Sequence, residues 1–193
     1  TTFVGHAVIE SEMGAADGAA FRQRFQIEED IPLLCMLPGS RLGEVERHLE
    51  SFRSAMTTLQ SRFPSLRVVV PTIPAIEDEV SHTVRGWENN VLVVEGEKDK
   101  FDAMAASNIA LAASGTVALE LALARVPTVI AYRVNVITSW IVKALIKIPY
   151  ANLVNVLLNR EAVPEFIQGK CTGDNLANAL ENLLEDIVVY EAQ

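Results

Sequence analysis

The sequence predicts an α/β protein built on a doubly wound parallel sheet. Five short apolar runs, rich in β-branched residues, have the length and composition of strands that are buried on both faces. They are residues 33–37, 67–71, 91–95, 108–113 and 128–132. Segments of helical length separate these runs, and this alternation favours right-handed crossovers between parallel strands.

The helices are predicted at residues 43–62, 75–86, 98–107 and 116–125. A sixth unit follows over residues 134–158, and a closing helix is predicted at 172–187 with Asp174 as its N-terminal cap. Residues 1–15 lack periodicity and are predicted to be an interdomain linker. The folded domain is therefore expected at residues 16–193.

The composition excludes two broad classes of protein. The chain has 193 residues of which 50% are hydrophobic, so global disorder is excluded. Its net charge of −9 is the wrong sign for a protein that binds nucleic acid over a broad surface. The charge is uneven, since residues 121–160 carry +5 and no acidic side chain, which leaves −14 for the remainder.

Cysteine usage favours a protein of a reducing compartment, and hydropathy predicts that the chain does not cross a membrane. Cys35 and Cys171 lie far apart and show no metal-binding spacing, so neither a disulfide framework nor a zinc site is indicated. No secretory leader is expected at the start of the sequence. No apolar run reaches the roughly 18–20 residues that a membrane-spanning helix needs.

Ligands of doubly wound sheets bind beyond the carboxyl ends of the strands, so the turns at these ends are the candidate sites. After the first strand, Gly39 allows close approach to the backbone, Ser40 is placed to cap the next helix, and Arg41 is suited to a phosphate. The alternative is an ordinary turn in which Arg41 pairs with Glu44 or Glu46. The residues alone favour neither interpretation.

The turn after the fourth strand is a second candidate. Ser114, Gly115 and Thr116 open a mostly apolar helix that is expected to be covered all round, and Glu120 lies on the same helix face as Thr116. A carboxylate here can accept two hydrogen bonds from a ribose diol. Because Glu is rarely buried without a partner, a ligand is favoured over a purely local role at the helix N-terminus.

Weaker signals follow further along the chain. Tyr132 and Arg133 end the fifth strand, and Asn152, Asn155 and Arg160 lie in loop-like sequence. Loop amides often satisfy only the backbone, so this second group alone does not establish a binding site.

Residues 134–148 form a nearly continuous apolar segment with a narrow polar stripe. Lys143 and Lys147 lie on this stripe and Trp140 lies within the segment. It is suited to a membrane interface with anionic lipid or to a partner helix, and a buried core helix with one wet edge is an equal alternative.

Several catalytic motifs are absent from the sequence. There is no glycine-rich dinucleotide fingerprint, P-loop, serine-hydrolase elbow or Asp-x-Asp pair for a metal-bound diphosphate. His6, His48 and His82 are scattered and are expected to be surface residues rather than a catalytic set.

In combination, the turns resemble motifs of bacterial lipid-A-disaccharide synthases over nearly the whole chain. The matching motifs are Leu37-Pro38-Gly39-Ser40-Arg41 with Glu44, Ala113-Ser114-Gly115-Thr116 with Leu119-Glu120, Ala131-Tyr132-Arg133-Val134, Pro149-Tyr150 through Asn155 to Arg160-Glu161, and Val163-Pro164-Glu165-Phe166. The resemblance implies the Rossmann-like C-terminal half of an inverting GT-B glycosyltransferase. Such enzymes transfer 2,3-diacylglucosamine from UDP to 2,3-diacylglucosamine 1-phosphate, without metal or cofactor, at the cytoplasmic face of the inner membrane.

The resemblance also implies roles for individual residues. Ser40 and Arg41 would neighbour the diphosphate, residues 114–116 would offer it N–H groups, and Glu120 would hold the ribose. Asn155 matches an asparagine of the family's active-site cleft and is a candidate catalytic residue. The predicted UDP-sugar site comprises Gly39, Ser40, Arg41, Ser114, Gly115, Thr116, Glu120, Tyr132, Asn155 and Arg160.

The family's general base lies in an N-terminal domain, so this chain alone is expected to bind UDP without turnover. Two alternatives remain at this point. One is a domain like that of UDP-N-acetylglucosamine 2-epimerase, which has a similar nucleotide-sugar cleft. The other is a non-catalytic module for dimerisation or membrane docking through residues 134–148.

Overall fold

A six-stranded parallel sheet forms the centre of the molecule. The computed structural model describes residues 12–87, 91–113, 115–133 and 150–193. The strands are β1 (Leu33–Leu37), β2 (Arg67–Thr72), β3 (Val91–Glu95), β4 (Ile109–Ala113), β5 (Thr128–Tyr132) and β6 (Glu165–Ile167). Their spatial order is β3-β2-β1-β4-β5-β6, so the described strands confirm the predicted doubly wound, Rossmann-like fold.

Helices cover both faces of this sheet. They are α1 (Gly18–Arg24), α2 (Leu42–Arg62), α3 (Glu77–Val84), α4 (Glu97–Ala106), α5 (Val117–Leu123), α6 (Leu153–Leu158), α7 (Gly173–Glu185) and α8 (Ile187–Glu191). Helices α2, α3 and α7 supply buried residues to one face, and α1, α4 and α5 supply them to the other. None of the helices within the described ranges combines the length and the apolar character that crossing a membrane requires.

Strand β1 shows why the sheet is buried on both sides. Its five residues are all buried. Leu34 and Met36 point into the core under α2, whereas Leu33, Cys35 and Leu37 point into the core under α4. This period of two on both faces explains the uninterrupted apolar sequence of the run.

The predicted strands agree with the structure to within one residue at each end, but three elements were missed. Helices α1 and α6 and strand β6 are short, at 7, 6 and 3 residues, and carry little periodicity. The closing helix is divided at Asp186, which caps α8 through its carboxylate. Its predicted cap was wrong as well, since the Thr172 hydroxyl and not Asp174 accepts the hydrogen bond from Asn175 N–H.

The topology places a crevice between β1 and β4. The chain proceeds from β1 outward to β3 on one side, and then returns to β4 on the other side of β1. The turns after β1 and β4 therefore diverge at the carboxyl edge, which is where doubly wound sheets hold their ligands. Most of the predicted linker lies outside the described residues, and its boundary with the domain stays a prediction.

Candidate functional site

The turn after β1 has a backbone that only glycine adopts easily. Gly39 has a φ angle of +133°, and a Cβ atom there would lie 2.8 Å from the Cβ of Glu44. Both the dihedral angle and the contact therefore oppose a side chain at this position. At Gly39 the backbone is therefore not covered by a side chain of its own where it lines the crevice.

Charged side chains fold back over this turn. Arg41 Nη1 lies 3.1 Å from Glu44 Oε1, which is the local pairing considered from the sequence. Ser40 N–H also donates to Glu44 Oε2, at 3.4 Å. The expected capping role of Ser40 was wrong, because Arg41 occupies the N-cap position of α2 and no side chain caps this end. The Arg41 side chain is 81% exposed and so has room to move.

The turn after β4 contributes Gly115 and Thr116, both exposed, followed by α5. Helix α5 is not covered all round as expected, because Leu123 is 48% exposed. Glu120, in the first turn of α5, is mostly buried. Its carboxylate therefore needs a partner, and the structure supplies one.

That partner is Lys100 of α4, which the sequence interpretation missed. Lys100 Nζ lies 3.0 Å from Glu120 Oε2 and donates to Oε1 at 3.2 Å, so both carboxylate oxygens are engaged. The burial of Glu120 therefore does not by itself require a ligand, and its contact with a ligand stays a prediction. The available signal was the position of Lys100 in the first turn of the helix after β3, near the same edge as the turns after β1 and β4.

These groups surround a cavity of about 200 Å³ at the carboxyl edge. From the predicted set, the lining includes Gly39, Ser40, Gly115, Thr116 and Glu120. Its other walls come mainly from the ends of β2 and β4 and from the first turns of three helices, with Leu37, Glu44, Pro71, Thr72, Ile73, Lys100, Ala113 and Val117. Among the described lining residues Lys100 is the one cation, and the lining also includes the carboxylates of Glu44 and Glu120.

A buried histidine, His48, connects the turn after β1 with the residue that follows β5, and this connection is called the brace. His48 is fully buried in α2, so its predicted surface position was wrong. Its Nδ1 lies 3.0 Å from the Pro38 carbonyl oxygen, and its Nε2 accepts a hydrogen bond from Arg133 N–H at 3.0 Å. A neutral ring protonated at Nδ1 satisfies both contacts. Burial lowers the pKa of His48, and the neighbouring Arg47 acts in the same direction.

Three residues of the predicted set, Arg41, Tyr132 and Arg160, are not among those that line this cavity. Tyr132 is half-buried at the end of β5, and Arg160 is exposed beyond α6. Arg133 donates through Nη2 to the Cys171 carbonyl oxygen at 2.5 Å. Neither Tyr132 nor Arg160 lines the cavity, and their roles toward a ligand stay predictions.

Asn155 is buried and its side chain is fully used within its own segment. Its Nδ2 donates to the Val163 carbonyl at 2.7 Å and to Glu165 Oε1 at 2.6 Å. Its Oδ1 accepts from Ala162 N–H at 2.8 Å and from Val163 N–H at 2.9 Å. Two donors and two lone pairs are thus occupied within the protein. These contacts explain Asn155 structurally, and its role toward a ligand stays a prediction.

The neighbouring Asn152 has a comparable local role. Its Oδ1 accepts hydrogen bonds from Val154 N–H at 2.8 Å and Asn155 N–H at 3.2 Å, and so caps α6. These contacts support the alternative that the loop amides satisfy backbone groups.

Four predicted contact residues lie outside the described residues. They are Ser114 in the turn after β4, and Trp140, Lys143 and Lys147 in the apolar segment. The proposed membrane or partner contact of that segment is therefore not tested by the structure.

Both cysteines are free and buried. Burial raises the pKa of the Cys35 thiol to about 12. Because the thiolate is the reactive form, Cys35 is unsuited to nucleophilic chemistry. Its position in β1 is explained by packing.

Comparison with known sequences identifies relatives along nearly the whole chain. A family model described as lipid-A-disaccharide synthetase matches residues 1–192. The lipid-A-disaccharide synthase of Rhodospirillum centenum is 49% identical over 185 residues, which covers 96% of this chain and 46% of that protein. The synthase of Paramagnetospirillum magneticum is 46% identical, covering 96% of this chain and 48% of that protein. The chain thus spans about half the length of these relatives.

Solved structures share the fold at low sequence identity. UDP-GlcNAc 2-epimerase from Neisseria meningitidis, bound to UDP-GlcNAc, has a TM-score of 0.61 at 16% identity and covers 90% of this chain and 42% of its own. ADP-heptose LPS heptosyltransferase II from E. coli has a TM-score of 0.63 at 11% identity, covering 86% of this chain and 50% of its own. These likenesses concern the fold, whereas the sequence match extends from one end of the chain to the other: the chain belongs to the lipid-A-disaccharide synthase family.

Proposed function

We propose that this chain is the nucleotide-sugar-binding part of a lipid-A-disaccharide synthase. The donor is UDP-2,3-diacylglucosamine, and its UDP portion occupies the cavity between the turns after β1 and β4. The observation that carries the proposal is this cavity, which lies at the topological switch point and is lined by Gly39, Ser40 and Glu120. The bare backbone at Gly39 favours close approach of a diphosphate.

Glu120 is the residue best suited to the ribose. Its carboxylate is mostly buried, lines the cavity and is held by Lys100. An ionised carboxylate has about four lone-pair sites, so the lysine leaves acceptors for the two vicinal hydroxyls. Charged acceptors make the stronger class of hydrogen bond, which suits a group that fixes the nucleoside in place.

Arg41 is the residue best suited to the diphosphate. It pairs with Glu44, but this pair is largely exposed on the arginine side and so is only weakly stabilising. The guanidinium is therefore able to exchange the carboxylate for a phosphate at small cost. A bidentate contact would then neutralise part of the ligand charge.

The complete reaction needs more than this chain. In the proposed reaction the acceptor, 2,3-diacylglucosamine 1-phosphate, attacks the anomeric carbon with inversion and UDP leaves. The acceptor's general base belongs to the part of the relatives that this chain does not span. We therefore expect no disaccharide formation by this chain alone, and a product in such an assay would contradict this division of roles.

Titration calorimetry with UDP tests the binding proposal directly. We expect binding to the wild-type chain, unchanged by EDTA, and a loss of about 1–3 kcal/mol of binding free energy in Glu120→Ala, because a charged acceptor is removed. Glu185→Ala removes an exposed carboxylate from α7 and serves as the control. No heat with UDP would reject the function, and equal affinity in Glu120→Ala would reject the ribose contact.

Two further proposals accompany this one. The 2-epimerase alternative is supported by fold alone, and inversion of the configuration at C2 of the sugar of UDP-GlcNAc would be its signature. Peripheral association of residues 134–148 with anionic inner-membrane lipid, or with a second copy of the chain, rests on the sequence. Co-sedimentation of the wild-type chain with anionic vesicles, lost in Lys143→Glu/Lys147→Glu, tests the association with lipid. A monomer by light scattering would oppose the association with a second copy.

A further inference from the structure

Lys100 does not serve the helix on which it lies. It occupies the first turn of α4, where the positive end of the helix dipole disfavours a cation. Its ion-pair partner is twenty residues further on and belongs to a different helix. The position of Lys100 therefore needs an explanation beyond local helix stability.

The ion pair connects the two halves of the sheet. Helix α4 packs on β1, β2 and β3, whereas α5 packs on β4 and β5. The contact from Lys100 to Glu120 thus crosses the switch point on one face of the sheet, directly beside the cavity. A change in the separation of the halves would change the orientation of Glu120.

The ammonium group is held from two directions. Its nitrogen lies within 3.2 Å of both oxygens of Glu120, and it lies 4.3 Å from the ring centroid of Phe101. Phe101 is buried in the core beneath α4, so the ring is a fixed support. With both oxygens engaged, rotation of the Glu120 carboxylate is restricted to one orientation.

This orientation bears on the choice of nucleotide. A fixed carboxylate presents its remaining lone pairs at set positions, which suits two adjacent hydroxyls better than one. A carboxylate free to rotate would accept from a single hydroxyl almost as well. The lysine thereby has more effect on the second hydrogen bond than on the first.

On these grounds we propose that Lys100 is a positioning residue that orients Glu120, so that the cavity selects ribonucleotides over 2′-deoxyribonucleotides. The proposal rests on the proposed function, since it takes UDP as the ligand and Glu120 as its ribose contact. It adds a residue and a specificity that the function alone does not require.

The test compares the affinities of UDP and 2′-deoxy-UDP by calorimetry in four chains. Wild type is expected to prefer UDP by about tenfold or more, the effect of one charge-assisted hydrogen bond. Lys100→Met should reduce this ratio to within about twofold. Lys100→Arg keeps a cation with carboxylate-matching geometry and should restore most of the preference. Lys170→Met removes one exposed positive charge outside the cavity and should leave the ratio unchanged.

Each outcome has a separate meaning. Absence of UDP binding by wild type rejects the proposed function, and equal wild-type affinities reject the ribose contact of Glu120. An unchanged ratio in Lys100→Met overturns the positioning role. If Lys100→Met loses affinity equally for UDP and 2′-deoxy-UDP while its affinity for uridine is unchanged, the positioning role is overturned in favour of a direct contact between Lys100 and phosphate. If Lys100→Met does not fold, the ratios of Lys100→Gln and Lys100→Arg decide, and equal ratios overturn the proposal.

Discussion

The turn after β1 and the segment from Asn152 to Glu165 both carry polar residues of predicted function, but they use their polar groups in opposite ways. In the turn, Arg41 pairs with Glu44 at the surface, and Glu44 lines the cavity. In the segment, all the hydrogen-bonding groups of the Asn155 amide are occupied internally. The comparison teaches that the occupancy of hydrogen-bonding groups, more than residue type, separates a binding residue from a structural one.

The largest expected effect of a substitution is on the structural side of this comparison. Asn155→Ala removes four hydrogen bonds and takes away the side-chain partner of both the N–H and the carbonyl group of the buried Val163. We expect the free energy of unfolding to fall by about 2–4 kcal/mol, measured by urea denaturation. The affinity of the folded fraction for UDP should be close to that of wild type.

Asn182→Ala, at an exposed site on α7, is the matched control and should change stability by less than about 0.5 kcal/mol. A stable Asn155→Ala with a large loss of UDP affinity would reverse the comparison. That result would support a direct role of Asn155 in ligand binding.

How far the sequence predicts the molecule depends on the range of the interactions involved. The bounds of β1, β3 and β5 follow from continuous local runs and agree with the structure. The ion pair of Lys100 with Glu120 and the burial of His48 arise only when distant segments meet, so no local pattern shows them. The sequence therefore locates the correct sheet edge, but not which of its polar groups are already satisfied.

The two glycines that line the cavity differ in what an added side chain would meet. Gly39→Ala forces a side chain onto a φ angle of +133° and against Glu44, so we expect a loss of about 1–3 kcal/mol in unfolding free energy. At Gly115 a Cβ atom would meet nothing within 4 Å, so Gly115→Ala should leave stability nearly unchanged.

Calorimetry with UDP then separates the effect of each glycine on ligand binding from its effect on stability. If the ligand approaches the backbone at both turns, Gly115→Ala lowers UDP affinity without lowering stability. Wild-type affinity in Gly115→Ala would place the ligand on the β1 side of the crevice alone. A Gly39→Ala variant as stable as wild type would contradict the strain argument.

The smallest expected effect concerns pH and involves the brace at His48. Burial lowers the pKa of His48 in the folded state, and protonation at Nε2 would set an N–H against Arg133 N–H. Arg47 opposes the charged form as well, while Glu44 and the Pro38 carbonyl favour it. Because the folded-state pKa lies below the unfolded value of about 6.5, the native state binds fewer protons than the unfolded state in acid.

His48 therefore contributes a stability that is complete above about pH 6.5 and is lost as the pH falls below that value, with a limiting slope of about 1.4 kcal/mol per pH unit. Urea denaturation between pH 7 and pH 5 should show this slope in wild type and a shallower one in His48→Gln, whereas His82→Gln, at an exposed site, should behave as wild type.

UDP affinity should weaken over the same interval in wild type, since His48 joins Pro38, next to the glycine turn, to the end of β5. Equal slopes of unfolding free energy against pH in wild type and His48→Gln would show that protonation of His48 does not affect stability. A pH effect on stability without one on affinity would show that the brace supports the core and leaves the ligand turn unaffected.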